Sequence, residues 1–164
     1  MAMRRSVVTG MLAGLAVTVL AAAWLGHRLG LFAPGYAEVE GRPIAETPLV
    51  DLGGRHHAFS ELRGQPATLY LWATWCGPCL KHLAQYAENG LPPHRGRFLP
   101  IALEAHPAEV ATTLQRVGYR GPVWVATDGM VLLQRRFAGN DRRAVPYEVK
   151  LDAGGRVVSA RYGG

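Results

Sequence analysis

The chain is 164 residues long, carries a formal net charge of +6 and holds two cysteines. Half of the excess charge sits on Arg4, Arg5 and Arg28, which leaves 15 basic against 12 acidic residues from position 35 on. No basic run is interleaved with aromatics, so nucleic-acid binding has no footing. One closely spaced cysteine pair likewise leaves no scaffold of structural disulfides.

Arg4 and Arg5 are followed by 21 residues without a charge, from Ser6 to Gly26. At about 1.5 Å per residue, that length just crosses a hydrocarbon core of about 30 Å. Arginines on its N-terminal side would keep residues 1–5 in the cytoplasm and send the remainder across. The expectation is a transmembrane signal anchor over 6–26 in the inner membrane, with the rest facing the periplasm. Ala21-Ala22-Ala23 keeps a cleaved, soluble periplasmic form as the alternative. Residues 27–47, rich in Gly, Pro and Glu, read as a linker. Residues 48–164 form one domain, long enough to bury its own core.

Leu49–Leu52 and Arg55–Phe59 predict a short hairpin around Gly53-Gly54. The adjacent His56 and His57 point to opposite faces of a strand and read as solvated edge residues. Ser60–Gly64 predicts a single capped helical turn, and the run from Pro66 to Trp72 a buried central strand. Between 77 and 89, Leu80, Leu83, Ala84 and Ala87 recur at helical spacing. Pro78 suits the first turn of that helix and Asn89-Gly90 its end. A loop over 91–97 leads to a second buried strand at 98–103, which contains Pro100. A helix follows over 107–117, then a strand over 123–126 and a helix over 129–137. Residues 147–151 and 156–162 predict a second hairpin across Ala153-Gly154-Gly155. Strands separated by helices imply an α/β sandwich with a mixed central sheet.

The central strand runs straight into Trp75-Cys76-Gly77-Pro78-Cys79. A Cys-x-x-Cys that opens a helix sets its first sulfur against unpaired backbone N–H groups and the positive end of the helix dipole. The thiolate, which is the nucleophile, is thereby favoured. Half of a zinc site is the alternative, but it needs two further ligands, and there is no second cysteine pair.

Trp72-Ala73-Thr74-Trp75-Cys76-Gly77-Pro78-Cys79 resembles the active site of the thioredoxin superfamily. From about Pro48 to Gly164 the chain is similar to membrane-anchored bacterial thiol–disulfide reductases of the TlpA/ResA/CcmG type. Ser60-Glu61-Leu62-Arg63-Gly64-Gln65-Pro66, Val145-Pro146 and Leu151–Val158 carry that wider match. The resemblance implies a thioredoxin-like sandwich in which Cys76 attacks a substrate disulfide and Cys79 resolves the mixed disulfide. It implies that Pro146 is cis and that Val145 offers its backbone to a substrate strand beside Trp75, Gly77 and Pro78. Chemistry of this kind needs no cofactor and no metal. Gly77-Pro78 implies a reducing potential, thioredoxin lying near −270 mV against about −120 mV for the oxidant DsbA. The implied function is reduction of disulfides in exported proteins, with electrons from a transmembrane donor of the DsbD/CcdA kind, in cytochrome c biogenesis or metalloenzyme maturation.

Three departures stand out. Relatives of this type commonly carry Glu three residues after the second cysteine, where this chain has His82. An imidazole there either moves a proton on and off Cys79 or is an ordinary half-exposed helix residue. Tyr70 replaces an Asp or Asn; it cannot act as a base near neutral pH and is expected to pack with its hydroxyl bonded. The final helix of the family is missing after Tyr162, which leaves one sheet face and the oligomeric state open. Arg142 and Arg143 lie close to the expected groove, as solvated residues or as partners of the Cys76 thiolate. A rival reading gives Cys76, Cys79 and His82 to copper, in an assembly factor that does not turn over.

Overall fold

A computed structural model describes residues 14, 16–25, 38–90, 96–104 and 106–163. The chain divides into two compact units, 1–34 and 35–164. In the first, residues 14 and 16–25 are helical and exposed, and the Thr18 hydroxyl donates to the Gly14 carbonyl at 3.1 Å. These residues cover part of the span expected over 6–26; the others lie outside the described residues. No helix among the described residues is long and apolar enough to cross a membrane.

The second unit is built on a seven-stranded sheet in the order β2-β1-β5-β4-β3-β6-β7. Its strands are β1 (Leu49–Val50), β2 (His56–His57), β3 (Ala67–Trp72), β4 (Arg97–Ala102), β5 (Trp124–Ala126), β6 (Tyr147–Leu151) and β7 (Val157–Tyr162). Strands β3, β4 and β5 are parallel, while β1, β2, β6 and β7 join antiparallel, so the sheet is mixed. Every residue of β3 is buried, as a central strand covered on both faces requires. Alternation then divides its side chains between two cores. Leu69 and Leu71 join Leu99, Ile101, Tyr147 and Val149 on one face. Tyr70 and Trp72 join Phe98, Ala102 and Val125 on the other. Pro100 sits opposite Tyr70 in the β3–β4 ladder, and pairing with β5 begins one residue later at Ile101.

Helix α1 (Gly77–Asn89) and helix α2 (Pro107–Val117) cover the second face, through Cys79 and Leu83 of α1 and Val110 and Leu114 of α2. Ala87, expected on the apolar side of α1, is exposed. The first face is covered by a 3₁₀ turn (Phe59–Leu62) and two short helices, α3 (Gly129–Leu132) and α4 (Arg135–Ala138). The single helix expected over 129–137 is therefore broken at Leu133-Gln134. Each piece is one turn long, too short to hold itself, so packing of Leu132, Phe137 and Ala138 holds them instead. Gly129 allows the close approach of α3, since a Cβ there would lie 2.1 Å from the Leu103 carbonyl oxygen.

Residues 38–47 correct the expected linker boundary. Val39 and Ile44 are buried in the first core. The backbone of Arg42 and Ile44 pairs with Val157 and Gly155. The Glu46 carboxylate accepts from the Phe59 and Ser60 amides at 2.8 and 2.9 Å, capping the 3₁₀ turn.

Both hairpins turn on one pentapeptide pattern, Asp51-Leu52-Gly53-Gly54-Arg55 and Asp152-Ala153-Gly154-Gly155-Arg156. In each, one carboxylate oxygen of the Asp accepts from the amides two and four residues on, at 2.8–3.0 Å. The second glycine has φ near +80°, at 81° and 78°. The side chain closes the turn and glycine supplies the left-handed backbone.

Candidate active site

The end of β3 sets up the site. Its last residue, Trp72, is fully buried, and the chain turns through Ala73-Thr74-Trp75 before α1 begins at Gly77. Thr74 is anchored by its amide, which donates to the Glu104 carboxylate at the end of β4, and its hydroxyl donates to Glu109 at 3.3 Å. Cys76 is the N-cap of α1, with extended backbone, and Pro78 lies in the first turn. The Cys79 amide donates to the Cys76 sulfur at 3.3 Å. The two cysteines are joined in a disulfide, with Cα atoms 5.2 Å apart. The Cys76 sulfur therefore occupies, in oxidised form, the place where a thiolate would face the helix N-terminus. Cys79 is fully buried and Cys76 is 5% exposed, beside a Trp75 that is 74% exposed. Gly77 and Pro78 are exposed as well.

The other wall comes from the loop before β6. The Val145–Pro146 peptide bond is cis. Pro146 is buried, and half-buried Val145 packs against the core cluster that contains Cys76 and Cys79. Two side chains that the sequence reading did not pick out, Asn140 and Tyr162, brace this loop. Buried Asn140 accepts from the Ala144 amide at 3.1 Å and donates to its carbonyl at 2.9 Å. The Tyr162 hydroxyl donates to Asn140 Oδ1 at 3.0 Å and accepts from the Arg142 amide at 2.7 Å. The Arg142 guanidinium lies 4.9 Å above the Tyr162 ring. Gly163 completes the brace, donating to the Pro146 carbonyl at 3.0 Å. The Asn140–Ala144 spacing was the one visible signal, an Asn four residues before the amide it caps. Arg143 is exposed, with φ 49°.

Beneath α1 lies a polar contact within the second core. Tyr70 is fully buried and its hydroxyl shares a hydrogen bond of 3.1 Å with Nδ1 of half-buried His82. Burial first, then nearby Tyr86 and Glu148, push the Tyr70 phenol well above the usual tyrosine range, so it stays protonated. Glu148 is the register partner of Tyr70 on β6 and is held by Arg161 at 2.7 Å.

Among the described residues, no three His, Cys, Asp or Glu side chains converge to hold a metal ion. Cys76, Cys79 and His82 do not form the ligand set that the copper reading requires. His57 is a second correction, because it is not a solvated edge residue. It is half-buried, stacked on Trp124 with ring centroids 4.6 Å apart, and bonded to Glu61 at 2.9 Å and Asp51 at 3.4 Å.

No family model matches the chain. Solved structures with a similar fold include a candidate thiol:disulfide interchange protein DsbE from Chlorobium tepidum, 22% identical with a TM-score of 0.57, covering 76% of this chain and 85% of the other. A secreted Mycobacterium tuberculosis disulfide oxidoreductase, homologous to DsbE of E. coli, is 21% identical with a TM-score of 0.52, covering 71% of this chain and 83% of its own. This is a thioredoxin-like domain. Within that fold, the chain is similar in sequence to thiol–disulfide oxidoreductase ResA of Geobacillus thermodenitrificans, 31% identical over 74 residues, or 44% of this chain. The match spans 42% of that relative's length, less than half of it. The thioredoxin-like domain thus joins ResA-like sequence to a Cys76–Cys79 pair at the start of its first long helix.

Proposed function

We propose that the protein is a thiol–disulfide oxidoreductase that acts mainly as a reductase of disulfides in exported proteins. The observation that carries this reading is the Cys76 sulfur at the N-terminus of α1, accepting the Cys79 amide at 3.3 Å. That environment stabilises negative charge on sulfur. The reduced protein reacts in two exchanges. The Cys76 thiolate attacks one sulfur of the substrate disulfide, forming a new S–S bond as the second substrate sulfur leaves as thiolate. Cys79 then gives up its proton, with His82 as acceptor, and attacks the Cys76 sulfur. The first substrate sulfur leaves, so the substrate ends as a dithiol and the protein as the Cys76–Cys79 disulfide. Val145, Trp75, Gly77 and Pro78 border the approach and serve as the substrate-binding residues, with Pro146 holding Val145 against the dithiol.

The reductive direction rests on Gly77-Pro78 between the cysteines. The charge-free run over 6–26 supports an inner-membrane anchor with the domain in the periplasm, recharged by a transmembrane donor of the DsbD/CcdA kind. A single trapping experiment tests the core of the reading. Cys79→Ser should accumulate a mixed disulfide with its substrates through Cys76, and Cys76→Ser should not. Trapping through neither cysteine would refute it. A glutathione-equilibrium potential near −270 mV fits a reductase, whereas one near −120 mV reverses the direction.

A further inference from the structure

Beside the dithiol, a groove of about 430 Å³ runs between the loop before Cys76 and the outer side of α2, lined by Thr74, Trp75, Glu109, Thr112, Thr113 and Arg116. We infer that this groove receives the substrate chain on one side of its disulfide and selects it by charge. Glu109 takes a basic residue nearer the substrate cysteine, and Arg116 takes an acidic residue farther out. The inference rests on the dithiol reading above and deepens it, by naming the charge pattern of the substrate.

The geometry follows from the spacing along α2. Glu109, Thr112, Thr113 and Arg116 recur at helical intervals and form one stripe down the helix. Val110 and Leu114 are buried in the second core and fix which way that stripe faces. One end of the stripe is tied to the active-site loop, because the Thr74 hydroxyl, two residues before Cys76, donates to Glu109 at 3.3 Å. Trp75, adjoining Cys76 and 74% exposed, gives the groove its apolar surface. Arg116 stands seven residues after Glu109, about 10.5 Å along the helix axis. That is the span of about three residues of extended chain, at roughly 3.3 Å each. A chain leaving Cys76 along the groove therefore meets a carboxylate first and a guanidinium second.

Both groups are available to a partner. Among the described residues, the ion pairs join Arg55 and His57 to Asp51, His57 to Glu61 and Arg161 to Glu148, and none takes Glu109 or Arg116. The hydroxyls between them are spent or hidden: Thr112 donates to the Ala108 carbonyl at 3.0 Å, and Thr113 is buried. Selection along the groove thus falls to its two charged ends. A substrate with the matching order is attracted at both, and one with the order reversed is repelled at both.

The test uses the full-length reduced protein in mild detergent and synthetic peptides whose single cysteine is disulfide-bonded to 5-thio-2-nitrobenzoate. One peptide carries Lys beside the cysteine and Glu about three positions farther out, on both flanks so that chain direction does not matter. The other has the two charges exchanged. The Cys76 thiolate bonds to the peptide sulfur, and the coloured thiolate leaves with the electron pair of the broken S–S bond, so its initial release reads the attack. The first peptide should react about fivefold faster than the second at low salt, the scale of exposed ion pairs. The ratio should fall toward one in about 1 M salt, where the screening length is about 3 Å. Glu109→Lys combined with Arg116→Glu should reverse the preference. Glu109→Gln, which keeps an oxygen for the Thr74 hydroxyl, and Arg116→Gln should each reduce the ratio, and they decide the matter if the reversed variant does not fold. A ratio near one in the wild type, or a preference that survives these variants, would overturn the inference. Equal slowing of both peptides at a constant ratio would also overturn it, since the two residues would then only support the loop. No release from either peptide, or release undiminished in Cys76→Ser, would instead sink the dithiol reading.

Discussion

At Cys76 solvent reaches 5% of the residue, and at Cys79 none. The cysteine that reaches solvent is also the one at the helix N-cap, so access and thiolate stabilisation favour the same residue. In the reduced protein, iodoacetamide near neutral pH should therefore modify Cys76 roughly tenfold or more faster than Cys79. Peptide mapping after timed quenching reads the ratio, and equal rates would abolish the division between attacking and resolving thiols. A second residue-scale effect belongs to Asn140. It makes two hydrogen bonds to Ala144, in the loop that presents Val145, and receives a third from Tyr162 of β7. Asn140→Ala should cost about 1–3 kcal/mol, the usual penalty for stranding buried polar groups, measured by urea unfolding. The proposed docking of a substrate chain on Val145 predicts that the same variant reduces turnover of a protein disulfide more than attack on a small aromatic disulfide.

Among the elements, the first hairpin and the 3₁₀ turn are tied together by hydrogen bonds through His57. His57 lies between Asp51 and Glu61. The Asp51 carboxyl is held down at about 2, chiefly by the Arg55 amide and further by His57 and Gly53. Glu61 is lowered as well, chiefly by His57 and the Ala58 amide. A carboxyl depressed in the folded state contributes stability above its unfolded pKa and loses that contribution as pH falls through the folded value. Asp51→Asn should therefore lower the urea midpoint near neutral pH. The gap to wild type should close between about pH 4 and pH 2. A gap that stays constant across that window would show that the carboxylate charge plays no part in the turn.

On the scale of the whole molecule, the β6–β7 part of the sheet face that carries Tyr70 is lined by polar and charged side chains. Glu148, Lys150, Ser159 and Arg161 lie on the same face as Tyr70 and Thr68. The Glu148–Arg161 pair takes the place that apolar side chains would hold beneath a helix. The sheet's edges are similarly blunted, by the two-residue β2 on one side and an arginine-bearing β7 on the other. Among the described residues, no apolar face is left there to drive self-association. The full chain in mild detergent should run as a monomer by light scattering; a concentration-dependent dimer would contradict this. The proposed anchor predicts that the native protein stays with membranes after carbonate extraction and keeps an intact N-terminus. A soluble form starting at Trp24 would show cleavage at Ala21-Ala22-Ala23 instead.

Local chemistry made much of this legible without coordinates. The apolar run into Cys-Gly-Pro-Cys, Pro78 in a first turn and the Gly-Gly turns all depend on neighbours close along the chain, where backbone preference and periodicity operate. Other features depend on residues far apart in sequence, and the folded chain alone decides them. Val39 and Ile44 read as linker because their burial comes from the sheet face around Val157, more than a hundred residues later. His57 read as solvated because Trp124, its stacking partner, reaches it only through the β1–β5 pairing. His82 is the sharpest case. Helical spacing put it at the border of α1, but its bond to Tyr70 exists because β3 runs beneath that helix, and a long-range contact of that kind leaves no periodic trace.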